Sequence, residues 1–255
     1  MTTATPSGRP RRLAVAALAL AIAAPAGPPV AAAELSADEV RALAAAGPAD
    51  LAGKDLAGLD LTGIDFTGAN LQGAILKGAI LAGADLSGAN LDLAIFRGAD
   101  LSGATLREIS AFSTIFADAS LRGADLSGAR LVSNLDGADL EGANLAGAAM
   151  GADMRNQPMG LMRVSLRKAR LRAANLAGAD LSRGMLEFAD FQGATLAGAN
   201  LMRAEMAGAD FSGADLAGAD LTLADIQDTR FLGATGLDTA VGLDSATNRG
   251  SALFD

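Results

Sequence analysis

The sequence predicts an all-β fold of the solenoid class, a chain wound into stacked coils around one narrow core. Three observations predict it. From Ala49 onward an apolar residue falls at every fifth position, beginning Leu51, Leu56, Leu61, Phe66, Leu71. Five fits neither the helical period of 3.6 nor the strand period of 2, and self-similarity at a fixed short interval marks a stacked repeat. One five-residue word also recurs with small changes: ADLAG, KDLAG, LDLTG, IDFTG, ANLQG. Finally, 51% of residues are apolar, yet Ala, Leu and Gly dominate and Trp, Tyr, Cys and His are absent. That is a repeat-protein bias.

In chain order, the first element is an address. Arg9, Arg11 and Arg12 precede the apolar run Leu13 to Ala24, prolines follow, and Ala31-Ala32-Ala33 completes the order of a signal peptide over residues 1–33. Cleavage is expected between Ala33 and Glu34. The run is too short for the roughly 20 residues that a membrane-crossing helix needs, so no integral membrane segment is expected after cleavage. An exported chain would work in the periplasm or be secreted. Without cysteine it carries no disulfide and no lipid-anchored cysteine.

Residues 34–48 read as a short N-terminal capping helix. Ser36 and Glu39 have the spacing of a capping box, Val40 and Leu43 supply an apolar face, and Gly47-Pro48 ends the helix.

The repeat occupies residues 49–233. If the large apolar residue is called i, Ala sits at i−2, Asp or Asn at i−1, a small or polar residue at i+1 and Gly at i+2. In extended backbone, residues two apart share a side, so i−2 and i face inward while i−1 and i+1 face water. Glycine at i+2 permits the change of direction. Asp at i−1, as in Asp60, Asp85, Asp100, Asp125, Asp180 and Asp220, recurs too regularly for a discrete site. Bonding to nearby backbone N–H groups explains it better than a calcium site, which needs converging ligands.

This tandem pattern, [A/S/T/V]-[D/N]-[L/F]-x-G, resembles the pentapeptide-repeat family over nearly all of residues 49–233. The resemblance implies a right-handed quadrilateral β-helix with four pentapeptides to a coil, so that residues twenty apart stack. About 37 units between Leu51 and Phe231 make roughly nine coils, about 44 Å at strand spacing. On that register Phe191, Phe211 and Phe231 share one inner column, and Phe96 and Phe116 another.

The period slips mid-chain. Leu131 is followed by Leu135, then Leu140, Leu145 and Met150; the spacing falls short again at Met154 and lengthens to Leu161. The expectation is that ARLV and AAMG are shortened units, that Gln157-Pro158 is a small corner bulge, and that one stack runs through. After Phe231 the repeat dissolves into a C-terminal cap or tail, 234–255, where Leu237, Val241, Leu243 and Leu253 are expected to close the last coil.

Candidate binding residues come from the charges. The net charge is −9, and loss of residues 1–33, which hold three arginines and no acid, makes it −12. Within this acidic chain residues 155–183 form a basic stretch. Arg163, Arg183 and Arg203 lie twenty apart at i+2 and are expected to stack, with Arg167, Lys168 and Arg170 nearby as a partner-binding face for an anionic protein. The competing reading is a solvated face balanced by Asp180, Glu187 and Glu205. Phe112 and Phe188 fall at outward positions, and Ala111 stands where a large core residue belongs.

Composition narrows the function. Without His or Cys the common acid-base shuttle, thiolate and soft metal ligands are missing, and no acid, base and nucleophile recur at a recognisable spacing, so no catalytic, cofactor or metal residues are assigned. A nucleic-acid binder is expected to be basic. The reading is a non-enzymatic structural or protein-interaction rod outside the cytoplasm, its partner and oligomeric state unspecified by sequence. The alternative implied by the resemblance is a DNA mimic that binds DNA gyrase or another topoisomerase, which requires a chain that is not exported.

Overall fold

The computed structural model describes residues 35–152 and 162–255; residues 1–34, and with them the signal-peptide expectation, lie outside it. Within residues 35–255 the repeat forms four ladders of parallel bridges. Asp50 pairs with Asn70, Asp55 with Ile75, Asp60 with Ile80 and Asp65 with Asp85, each twenty residues on. Four five-residue sides therefore close one coil. We number the faces 1 to 4 by these first pairs.

The five-residue word is explained by where its five amides go. Taking Leu56 as i, its N–H donates forward to Ile75 O (2.7 Å), and Gly58 N–H donates to Lys77 O (3.0 Å). Leu59 N–H closes the corner on Leu56 O (3.3 Å). In the next coil Ile75 N–H donates back to Lys54 O (2.8 Å). The i+1 amide alone has no backbone acceptor, and Asp55 Oδ1 takes it, from Ala57 at 3.0 Å. The same bond recurs from Thr62 to Asp60, Ser102 to Asp100 and Ser182 to Asp180. A buried or half-buried amide left unpaired is costly, so a short acceptor two residues back is selected at i−1.

At two of the three serine ladder positions, Ser110 and Ser165, an acid of the preceding coil substitutes, whereas Ser120 bonds to the Ser102 hydroxyl (2.8 Å). Asp92 accepts from Ser110 Oγ (2.7 Å) and Phe112 N–H (2.8 Å), and Asp136 accepts from Ser165 Oγ and Arg167 N–H (3.0 Å). Two separate sites thus use one solution.

Ala at i−2 and Leu or Phe at i fill the interior, as Ala69, Leu71, Ala74 and Leu76 do, all fully buried. Threonine replaces alanine at Thr114 and Thr229, and each hydroxyl donates to a core carbonyl, Leu91 O (2.7 Å) and Met206 O (2.9 Å). The expected phenylalanine columns are present. Phe96 stacks on Phe116 at 5.0 Å, and Phe191, Phe211 and Phe231 follow at 4.5 and 5.6 Å. Phe254 extends the second column at 5.2 Å, which the broken period of the tail conceals.

The first slip is a shortened side, as expected, since Ile115 pairs with Asn134, nineteen residues on. The second is not. Ala149 pairs with Asp180 and Asn134 with Ser165, each thirty-one residues on, so Met150 is followed in the core by Leu166. AAMG is therefore not a shortened side, and the count of about 37 units falls by two. Val164 N–H meets Met150 O (3.3 Å), where the chain rejoins the coil. Met154, Gln157-Pro158 and Leu161 lie outside the described residues.

Helix α1 spans Ala37–Ala45. Ser36 Oγ accepts from Glu39 N–H (3.3 Å) while Glu39 Oε2 accepts from Ser36 N–H (2.8 Å). Val40 is fully buried, and the Arg41 guanidinium donates to Asp60 O and Thr62 O of the first coil. At the other end Thr235, Val241, Thr247 and Leu253 continue the ladders at six-residue intervals, pairing with Asp215, Asp220, Asp225 and Arg230. Val241 and Leu253 therefore sit at outward ladder positions, 56% and 49% exposed, instead of closing the core as expected. Leu237, Leu243 and Phe254 pack against it.

The amide-binding carboxylates make stability acid-sensitive. The Thr62 hydroxyl, then its amide, hold Asp60 below the usual carboxylate range, and the Thr67 amide, then its hydroxyl, do so for Asp65. Burial pushes Asp210 up, but bonds from Ser212 and Gln192 outweigh it and its pKa is lowered. A folded pKa below the unfolded value adds stability that is complete above the unfolded value, about 4, and is lost as pH falls through the folded one. The melting temperature is expected to hold from pH 7 to about 5 and to drop below about 4, less steeply in Asp210→Asn, which keeps the amide acceptor. Calorimetry across that range checks this; an unchanged melting temperature at acid pH contradicts it.

Candidate interaction face

The corner residue i+2 takes the left-handed region, as at Gly53 (φ +67°) and Gly58 (φ +68°). Any other residue pays roughly 1–2 kcal/mol for that conformation. Such residues are not spread evenly. Leu93, Ser113, Arg183, Arg203 and Leu223 adopt it at the corner between faces 1 and 2, and Asp118, Lys168, Phe188 and Asp228 at the corner between faces 2 and 3. The other two corners are glycine in nearly every coil, with Glu108 and Ala173 the exceptions between Leu51 and Phe231.

Face 2 is thus bordered on both sides by side chains held at a conformational cost. Phe188 shows what that allows. Its ring is 64% exposed and lies across the next corner, where a Cβ on Gly208 would stand 2.7 Å from Cδ1 and Cε1. Phe112 is half-buried instead, 5.9 Å below the Arg130 guanidinium.

The six basic candidates do not form one surface. Arg183 and Arg203 stack at the corner of faces 1 and 2, with φ of 59° and 58°. Arg163 leaves that column: it is not left-handed, and its guanidinium reaches over the Arg183 carbonyl (3.1 Å) to Glu205 (2.8 Å). Arg167 lies on face 2 and forks onto both Glu187 oxygens at 3.0–3.1 Å, which raises its pKa. Lys168 turns the next corner. Arg170 belongs to face 3, where it joins Asp139, Glu141 and Arg122; bonds to Glu141 and then Asp139 raise the Arg122 pKa. The physical reason is the coil itself: residues 167, 168 and 170 occupy i+1, the corner and the next ladder position, which point in three directions.

A cleft of 240 Å³ opens on face 2 beside the shortened side. The corner residue is the one missing: Ser133 takes the inward i−2 place, is buried and not left-handed, accepts from Ser165 N–H (2.9 Å), and its hydroxyl donates to Ala111 O. Asn134, Asp136, Arg163, Arg167 and Met185 line the rest. The cleft follows from the missing residue. Sequence reasoning found the slip and not the cleft, because a deletion at a corner does not say which side the gap faces.

The family model for pentapeptide repeats matches in eight copies over residues 49–81, 81–109, 133–156, 165–201, 185–222 and 204–235. Among curated proteins none matches. Among solved structures the chain is similar to HetL, a pentapeptide-repeat protein involved in heterocyst differentiation regulation from the cyanobacterium Nostoc sp. strain PCC 7120. The identity is 29%, with 86% of this chain and 99% of that chain covered and a TM-score of 0.61. Full-length QnrB1, a plasmid-mediated fluoroquinolone resistance protein, matches at 19% identity, covering 81% of this chain and 91% of its own, with a TM-score of 0.35.

If the bordering corners serve a purpose other than folding, their removal stabilises the isolated protein. Arg183→Gly with Arg203→Gly is expected to raise stability by about 1–2 kcal/mol, since relief of two left-handed residues and one like-charge stack exceeds the added chain entropy of glycine. Denaturant melts of both proteins check this. A variant less stable than the parent contradicts it.

Proposed function

The chain belongs to the pentapeptide-repeat family, whose fold is a right-handed quadrilateral β-helix, and on that premise we propose that it is a non-enzymatic protein-binding rod working outside the cytoplasm. Its binding surface is face 2 with the corners on either side. The carrying observation is the concentration of non-glycine left-handed residues on those two corners, a cost that the solenoid's own packing does not require.

Other features support parts of this reading. The order of basic residues, apolar run and small-residue site in residues 1–33 supports export. Most acid-base pairs of the described residues are distributed along ladders, one coil apart, without the convergence of acid, base and nucleophile that catalysis uses. Helix α1 acts as the N-terminal cap, with Val40 in the core and Arg41 on the open carbonyls of the first coil. The six-residue sides through Leu253 complete the other end. A stack with open ladders at either end invites edge-to-edge association, which such covers prevent.

Two measurements test the proposal. N-terminal sequencing of the protein from fractionated cells is expected to begin at Glu34 in the exported fraction; a cytoplasmic product beginning at Met1 overturns export. Affinity capture by the exported form is expected to recover a protein that Lys168→Glu, Arg183→Glu, Arg203→Glu does not retain. Equal recovery by the triple variant overturns the assignment of the surface.

A further inference from the structure

We propose that face 2 between the Arg183–Arg203 corner and the Lys168–Phe188 corner docks a short acidic segment of a partner protein. This rests on the partner-binding reading above and adds the chemistry of what binds. It starts from the cations that the protein does not use internally. Most arginines of the described residues have an acid within 4 Å, while Arg41 donates to carbonyls and Arg130 covers the Phe112 ring. Among the described residues Lys77, Lys168, Arg183 and Arg203 have no such partner. All four lie on face 2 or on its two borders, in a protein whose net charge is −9.

The floor between the borders is neutral. Arg163 pairs with Glu205 and Arg167 with Glu187, and Met185 stands at the ladder position between these pairs. Positive charge therefore remains only at the margins, with apolar surface beside it: Phe188 at 64% exposure on one side, Met202 at 36% and Leu223 at 42% on the other. Stacked like charges about 4.8 Å apart repel, and no acid in the same corner column offsets Arg183 and Arg203.

A ligand that complements this pattern carries carboxylates toward both margins and an apolar side chain against Phe188 or Met202. Crossing one face takes about four extended residues at roughly 3.3 Å each, the length of a short linear segment. Asp180 and Asp220 line face 1 and Asp190 and Asp210 line face 3, the two faces adjoining it. A long polyanion such as a nucleic acid meets those carboxylates as soon as it leaves the patch, so the observations favour an acidic peptide over a nucleic acid.

The test uses the full mature chain and three labelled probes read by fluorescence anisotropy. One is an octapeptide, acidic at both ends with leucine and phenylalanine in the middle; the second has lysine at the acidic positions; the third is a single-stranded oligonucleotide. The wild type is expected to bind the acidic peptide at least about tenfold tighter than the lysine peptide, and tighter than the oligonucleotide. Arg183→Glu with Arg203→Glu is expected to weaken that binding about tenfold or more, Phe188→Ala about threefold, and Arg249→Glu in the tail not at all. Arg183→Gln with Arg203→Gln repeats the measurement should the charge reversal fail to fold.

Equal affinity for the two peptides, tighter binding of the oligonucleotide, or unchanged affinity in both double variants overturns the inference. Loss of partner capture in the corner variants, combined with no preference for the acidic peptide, sinks this inference alone. The protein-binding reading survives that result.

Discussion

Everything in this solenoid depends on placing five amides in a five-residue side. Three are met by neighbouring coils and one by the corner turn, which leaves the amide at i+1. The acceptor two residues back makes the side self-sufficient, so the Asp or Asn at i−1 is a backbone component before it is a surface charge. The acidity of the protein follows largely from this requirement. Its carboxylate ladders need no ligand to explain them, and at two of the three places where serine stands instead, Ser110 and Ser165 recruit Asp92 and Asp136 for the same amide.

The corner imposes the second constraint. A left-handed residue is required once per side, and glycine meets the requirement without strain, as it does along most of two corners. A departure from glycine is therefore informative in a way that a departure at i+1 is not. Corner side chains are held at a cost and project outward from the edge of a face. Their concentration at the borders of face 2 marks that face as different from the other three. The cleft beside the shortened side and the return of the chain at Val164 mark it independently.

The sequence carried the repeat, the core and the stacked phenylalanines because each is a direct reading of the five-residue word. It misled where apolar residues imitate that word out of place. After Met150 the expected interval places a side four residues on, whereas among the described residues Ala149 and Ser165 stand at consecutive ladder positions. In the tail the sides lengthen to six residues, and Phe254 is then invisible to a period of five although it continues the stack of Phe231. The basic stretch divides for a different reason. Composition gathers Arg167, Lys168 and Arg170 together, and the coil separates them, since neighbours in sequence turn to different faces while neighbours in space lie a full coil apart.

That separation changes what a charge on this protein can mean. Most cations at i+1 or at a ladder position meet acids one coil away, as Arg167 meets Glu187 and Arg172 meets Asp190, and are neutralised within the rod; Lys77 is an exception. A cation at a corner has only corner residues above and below it, and none of those next to Arg183, Arg203 or Lys168 is an acid. The corner is thus where positive charge on an acidic solenoid can stay unpaired, and it is also where a side chain other than glycine is hardest to keep. Arg183, Arg203 and Lys168 satisfy both conditions, and so the surface they border, set by geometry before any partner arrives, is the one suited to meet an acid from outside.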